Sequence, residues 1–259
     1  MSLRRSFAIA RHEMRVLLSD WTSLLTLILM PVVMMAFLKP IAKIALNQAG
    51  NGTANGAEFA VPGMTVLFAF FLVSFVGFLF FSEHRQNTWE RLRASPARNS
   101  EIMFGKVLPA FGLCLFQQTV LFALGFAVFG LRVPGSMLGV VAIVVAFAIC
   151  LTSVGLLLAA VLRTEQQLNL IGNLGAMVLA GLSGALVPIT VLPVWARTIA
   201  PAAPQYWAMR GFRSLILDGE GFEAVLIPVA VLLALAVVVG VLALIRFRFD
   251  EPKVVTVRV

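Results

Sequence analysis

The chain has 259 residues, of which 60% are hydrophobic and only 12% charged, and its mean hydropathy is +0.98. No soluble domain of this length has a core large enough to hide that much apolar surface, so the composition excludes a water-soluble enzyme or binding module. The formal net charge of +8 sits beside apolar segments rather than on a separate basic domain, which points to anionic lipid headgroups and away from nucleic acid.

In chain order, residues 3–18 project as an amphipathic helix. Leu3, Phe7, Ala10, Met14 and Leu17 share one arc, and Arg4, Arg5, Arg11, His12 and Arg15 occupy the neighbouring face. This pattern predicts an interfacial helix over 1–20, with its apolar side in the headgroup boundary and Ser19-Asp20 turning the chain into the bilayer. A frayed basic leader is the rival reading.

Six apolar stretches follow, at 21–38, 63–81, 107–129, 137–162, 168–186 and 224–245, and none contains Asp, Glu, Lys or Arg. Each has about the 17 to 25 residues that a helix needs to cross some 30 Å of hydrocarbon. Backbone amides find no water there, so helices are expected, and strand-like alternation is absent. Six crossings place both termini on one side. Lys and Arg number four in the leader, five in 82–106, one in 163–167 and four in the tail, against six on the other face, which predicts cytoplasmic termini. A cleaved signal peptide is a rival for the first stretch, but 18 apolar residues exceed the usual core and no convincing cleavage site follows.

The connectors differ in kind. Residues 39–62 carry Asn47, Gly50, Asn51, Gly52, Asn55 and Gly56 and read as a flexible external loop, with a formal glycosylation sequon at Asn51-Gly52-Thr53. Residues 187–223 hold Pro188, Pro193, Pro201 and Pro204 among Trp195, Tyr206 and Trp207, which predicts short external helices at or dipping into the outer interface. The cytoplasmic connector 82–106 can form a short helix capped by Asn87 or Thr88. Trp89, Leu92 and Arg93 lie on one face, and Ser95-Pro96 ends it. A large apolar knob flanked by charges suits a pocket on a partner protein. A loop helix resting on lipid would use the same residues.

Missing chemistry narrows the function. Ion-coupled carriers usually hold ionisable groups at membrane depth, and all six stretches lack them. Gly181-Leu182-Ser183-Gly184 matches the Gly-x-Ser-Gly string of rhomboid-type serine proteases, but His12 and His84 are the only histidines and both fall in flanks, so the serine has no base and packing is the better reading. Gly105-Lys106 lacks the earlier glycine of a phosphate-binding loop, because position 100 is Ser. Cys114 and Cys150 lie inside apolar stretches with no Cys or His neighbours, against a disulfide framework or a metal site.

Glu83, Arg85, Thr88, Trp89, Glu90, Leu92, Ser95, Pro96, Glu101, Gly105 and Lys106 follow one another in an order that resembles the ABC type-2 permeases, especially the bacterial drug-export and nodulation-factor subunits. Asn87 departs from the pattern, where Gly is usual. A second resemblance runs from Leu182 through Pro188, Leu192-Pro193, Trp195, Pro204, Trp207 and Arg213 to Leu217-Asp218-Gly219, and looks like that family's extracellular segment between helices five and six.

The resemblance implies an all-α integral membrane permease of six transmembrane helices in a bacterial cytoplasmic membrane, with an interfacial helix, a cytoplasmic coupling helix and short external helices. It implies a dimer, with a second permease subunit of the same or another kind, and two ABC ATPase subunits that bind Mg-ATP. This chain would bind no cofactor and be no enzyme by itself. The coupling segment, with Glu83, Arg85, Thr88, Trp89, Glu90, Leu92, Arg93 and Glu101, would contact the ATPase.

Candidates for the translocation pathway come from the residues. In the fifth stretch Asn169, Gly172, Asn173, Ala176, Ala180, Ser183 and Gly184 share one arc, a small-and-polar stripe that serves either as a seam between subunits or as packing within one. Phe68, Phe71, Phe75 and Phe78 form a phenyl stripe in the second, and Gln117 and Gln118 sit mid-membrane in the third. Aromatic faces with a few amides suit an amphipathic solute, although such a stripe also serves as core or lipid contact. Buried amides are costly without partners, which favours interior positions for the glutamines. The expected function is outward export of an amphipathic drug, lipid-linked or glycan-type substrate; a scaffold or sensor recruiting a non-ATPase partner and a facilitative channel are the alternatives.

Overall fold

The computed structural model describes residues 3–19, 21–48, 54–85 and 99–246. Among these residues every regular element is helical. Helices α1 (Leu3–Ser19), α2 (Trp21–Gln48), α3 (Ala57–Arg85), α4 (Asn99–Ala127), α5 (Met137–Val161), α6 (Glu165–Ser183), α7 (Val194–Ile199), α8 (Pro204–Ile216) and α9 (Leu226–Arg246) follow in order, with 3-10 turns at Ile189–Val191, Ala200–Ala202 and Phe222–Val225.

Five of them are long and apolar enough to cross a membrane, over Leu25–Gln48, Ala57–Phe81, Glu101–Ala127, Met137–Val161 and Phe222–Arg246. The sequence predicts six. The missing one is α6, whose 19 residues include Glu165, Gln166, Gln167, Asn169 and Asn173 and are less apolar than the rest.

The predicted loop at 39–62 is corrected by the fold. Helix α2 runs through Pro31 and Pro40 to Gln48, and α3 already begins at Ala57. Residues 41–46 are good helix formers, and Ala42 and Leu46 are buried one turn apart. Lys39 Nζ donates to the Phe129 carbonyl at 2.8 Å, which fixes this end of α2 to the α4–α5 connector. At the start of α3, Asn55 Oδ1 accepts from Ala57 N at 2.8 Å, and Glu58 Oε2 accepts from Asn55 N and Gly56 N at 3.0 and 3.1 Å. These bonds satisfy amides that a helix start leaves open and so lengthen α3 beyond its apolar stretch. Gly56 has φ +93 and lies against the Lys39 carbonyl, a place where no side chain fits.

Helix α3 is central, packed against α2, α4, α5, α6 and α8, and most of its residues are buried. Close approach depends on missing side chains. A Cβ on Gly155 of α5 would meet Val76 at 2.6 Å, one on Gly125 of α4 would meet Val61 at 2.7 Å, and one on Gly172 of α6 would overlap Ser74 Oγ. Helices α2 and α9 lie on the outside and keep mostly exposed apolar residues, as a lipid-facing surface requires.

The caps set the ends of α5 and α6. Ser136 accepts from Gly139 N and Thr164 from Gln167 N, while Gly184, in the left-handed region at φ +86, stops α6 at Ser183, three residues before the predicted end. Helix α8 does more than lie at a surface: Gln205, Ala208, Phe212, Leu215 and Ile216 are buried, and Phe212 meets Phe122 of α4 with ring centroids 5.1 Å apart. Gly211 brings it close to Ile143 of α5.

Candidate functional site

Two regions collect polar chemistry, one at each end of the helix body. At the first, α1 lies along α4 with Ser6, Ala10 and Glu13 buried and Phe7 exposed at 65%. The contact face therefore includes Ala10 of the predicted apolar arc and leaves out Phe7. Gly105 of α4 allows the approach, since a Cβ there would lie 2.8 Å from Ile9 and 3.1 Å from the Ser6 carbonyl. The carboxylate of Glu13 is tolerated on this face because it is paired: Lys106 Nζ lies 2.6 Å from Glu13 Oε1 and donates to the Leu79 carbonyl of α3 at 2.8 Å. The same ammonium sits 5.8 Å from the Phe80 ring centroid. Lys106 is fully buried, so one ion pair joins α1, α3 and α4 next to the connector 86–98.

Of the predicted coupling residues, the described part of the chain includes three. Glu83 and Arg85 belong to the last turn of α3, and Glu101 is buried in the first turn of α4, where a carboxylate meets the positive end of the helix dipole. The side chains of Glu83 and Arg85, and Thr88, Trp89, Glu90, Leu92 and Arg93 altogether, lie outside the described residues.

The glutamines occupy the middle of the body. Gln117 and Gln118 are both fully buried. Gln117 Nε2 donates to the Leu27 carbonyl of α2 at 3.2 Å. That carbonyl would ordinarily accept from the amide four residues on, which is Pro31 and has no N–H; Gln117 replaces the missing donor and so lets α2 carry a proline in mid-span. Gln118 Nε2 turns back to the Cys114 carbonyl and sulfur, both at 3.3 Å. The Oε1 atoms of both glutamines have no hydrogen-bond partner among the described residues.

The stripe on α6 divides. Gly172, Ala176, Ala180 and Ser183 are buried, with Gly172 directly against Ser74 of α3, whereas Asn169 and Asn173 are exposed beside Leu170, Leu174 and Met177. Its small half packs within the chain, which leaves the two asparagines on the outer surface. Ser183 donates to the Ala180 carbonyl of its own helix at 3.0 Å. Phe71 and Phe75 are half-buried against the core, in ring pairs with Phe68 at 5.5 Å and Phe78 at 6.5 Å. Of these residues, Ser183 alone lines the cavity at the opposite end of the body.

At the opposite end lies a cavity of about 360 Å³ between α2, α3, the end of α6, and α8. Its walls are Leu46, Phe59, Pro62, Ile189 and Met209, and Ser183 reaches its edge. Polar groups enter from α8, with Tyr206, Arg210 and Arg213, and from α3, with Glu58. The sequence motifs include Ser183, Pro188, Tyr206, Arg213 and Leu217 of its lining but do not bring them together. A readable signal is the spacing 206, 209, 210 and 213 on α8, one helical face beside the buried Gln205, Ala208, Phe212 and Leu215.

A family model described as "ABC-2 type transporter" matches residues 5–217. The linearmycin resistance permease protein LnrN of Bacillus subtilis (strain 168) is 28% identical over 203 residues, which cover 76% of this chain and 52% of that protein. The ABC transporter G family member 20 of Dictyostelium discoideum is 31% identical over 205 residues, covering 77% and 27%. The probable multidrug ABC transporter permease YbhR of Escherichia coli (strain K12) is 28% identical over 142 residues, covering 54% and 39%. The chain thus spans about half the length of the first of these relatives and less of the others.

Proposed function

The chain belongs to the ABC-2 type transporter family and is a multi-pass transporter membrane subunit, and from that premise we propose that it is the permease of an ATP-driven exporter of amphipathic drugs, lipid-linked or glycan-type molecules. The match across residues 5–217 carries this reading. Relatives named for linearmycin resistance and multidrug transport support an amphipathic drug as the substrate class.

In this reading the sixth crossing is α6, both termini are cytoplasmic, and the membrane is a bacterial plasma membrane. Two permease copies, alike or different, pair with two ATPase subunits that hold Mg-ATP. The work is done on the partner, and the 86–98 connector receives it, with Trp89 as the knob and Glu90 and Arg93 as charged guides. The Glu13–Lys106 pair lies where such motion would enter the helix body, and ties the leader to α3 and α4 so that the three move together. Among the described residues the buried carboxylates Glu58 and Glu101 sit in the first turns of their helices and the buried Lys106 is paired with Glu13, which supports an external energy source over an ion-coupled one.

Co-purification with an ABC ATPase, followed by ATPase assays in nanodiscs against a screen of amphipathic drugs and lipids, tests the assignment. Trp89→Ala and Glu90→Arg are expected to abolish ATP-driven export in proteoliposomes while the protein still inserts. Uphill transport by the chain alone, or unchanged export by both variants, would reject it in favour of a carrier or channel.

A further inference from the structure

The cavity beside α8 has a mismatch between its charge and its surroundings. Arg210 and Arg213 both line it, both are exposed at its mouth, and neither guanidinium forms an ion pair or a hydrogen bond among the described residues. Arg210 is held in place from the side, its guanidinium 5.4 Å from the Trp207 ring, and Trp207 is itself fixed by donating Nε1–H to the Pro201 carbonyl at 2.8 Å. The carboxylate in the lining, Glu58, faces the same space but has Oε2 occupied by two backbone amides at the start of α3. It therefore serves the helix end, and the mouth keeps two guanidinium groups against one engaged carboxylate.

Behind the arginines the walls are apolar, with Leu46, Phe59, Pro62, Ile189 and Met209 enclosing a volume of about 360 Å³, within the range of small-molecule sites. Two positive charges at an entrance and a hydrocarbon-lined interior describe the complement of one chemical form. We infer that this cavity is a binding site for an anionic amphiphile, its carboxylate or phosphate held by Arg210 and Arg213 and its hydrocarbon chain inserted among Phe59, Ile189 and Met209. Guanidinium suits this role because it pairs with two anion oxygens at once and never loses its charge. A neutral or cationic amphiphile would leave both arginines unmatched, so the site selects on the sign of the head group. The inference rests on the permease reading only in placing the mouth toward the outer leaflet.

A membrane phospholipid and a soluble amphiphile offer the same chemistry, and photolabelling separates them. The full chain in phosphatidylcholine nanodiscs is irradiated with 11-diazirinylundecanoate or with the matching neutral alcohol, and separately with diazirine-bearing acyl chains on phosphatidylglycerol or phosphatidylcholine. Labelling is mapped to the peptides that carry Phe59 and Ile189. The anionic member of a pair should label these walls about tenfold more than its uncharged or zwitterionic match, the effect of one charge-assisted hydrogen bond. Preference for phosphatidylglycerol identifies a bilayer lipid as occupant; preference confined to the free carboxylate identifies a soluble one.

Arg210→Gln with Arg213→Gln should bring the ratio close to one. Either single change should lower it partway, and covers the case in which the double variant does not fold. Ala45→Phe, which fills the wall on α2, should remove labelling of Phe59 and Ile189 without altering charge, and Arg197→Gln, outside the cavity, should change nothing. Equal labelling by anionic and neutral probes overturns the inference, as does a preference that survives Ala45→Phe, which would put the anion on the lipid-facing surface. Because no ATPase enters the assay, a chain that binds the anion but fails to export with a partner would contradict the permease reading and leave this site standing.

Discussion

Removing Glu13 should loosen the leader helix far more than its place on an amphipathic α1 suggests. At 2.6 Å the pair with Lys106 has a gross attraction of about 6 kcal/mol for an effective dielectric near 20, and desolvation of two buried charges offsets much of it. In Glu13→Ala the ammonium of a fully buried Lys106 loses its carboxylate and keeps the Leu79 carbonyl 2.8 Å away. Breaking a buried pair from one side costs about 3–5 kcal/mol. The partners that remain, the Leu79 carbonyl among them, place this case near the lower limit, about 3 kcal/mol, or roughly a hundredfold in the equilibrium between docked and released α1. Glu13→Leu combined with Lys106→Met replaces the charges by apolar groups of similar volume and should recover most of that loss. The assay is a double-mutant cycle in mixed micelles, reading equilibrium unfolding together with the rate of proteolysis within α1. Losses that simply add across the two singles and the double would refute a coupled pair, and a Glu13→Ala cost below about 1 kcal/mol would show the contact to be solvated.

Three further outcomes follow from particular contacts. Gln117→Leu should cost about 1–2 kcal/mol by leaving the Leu27 carbonyl unserved, and Pro31→Ala should rescue it by restoring an N–H four residues on; a thermal-stability cycle in nanodiscs with no rescue would break the link. Gly172→Val should destabilise by about 1–3 kcal/mol or more through overlap with Ser74, whereas Gly181→Ala, with nothing within 4 Å of its new Cβ, should be neutral or slightly stabilising; the two melting temperatures are read side by side. Ser183→Ala should leave transport unchanged and wild type should not react with fluorophosphonates, since Ser183 Oγ donates to its own helix; covalent labelling at Ser183 would reopen the hydrolase reading.

Element boundaries show what local information lacks. Residues 39–48 read as loop because Lys39, Pro40 and Lys43 interrupt an apolar run, yet they are helical because Lys39 reaches Phe129, ninety positions away, and Leu46 is buried. Helix α3 starts early because Glu58 and Asn55 cap it, a signal present in the sequence but hidden behind the glycines of the preceding segment. The cavity at α8 is not legible locally because the prolines and aromatics of 187–223 suggest a surface segment, while Tyr206, Met209, Arg210 and Arg213 align only in a helix that runs from Pro204 to Ile216.

Hydropathy, the sparseness of charge and the order of motifs are properties of neighbouring residues. They sufficed for a membrane-embedded, all-helical chain and for its transporter family, because the cost of burying a peptide group or a charge in hydrocarbon is levied segment by segment. Which helix is central, which half of the α6 stripe is covered, that Glu13 meets Lys106 and that Gln117 serves a carbonyl freed by Pro31 emerge only from the packed molecule. Those pairings join positions some ninety residues apart, and their energy depends on side-chain shape and on bonds left open elsewhere, neither of which is written in any one segment.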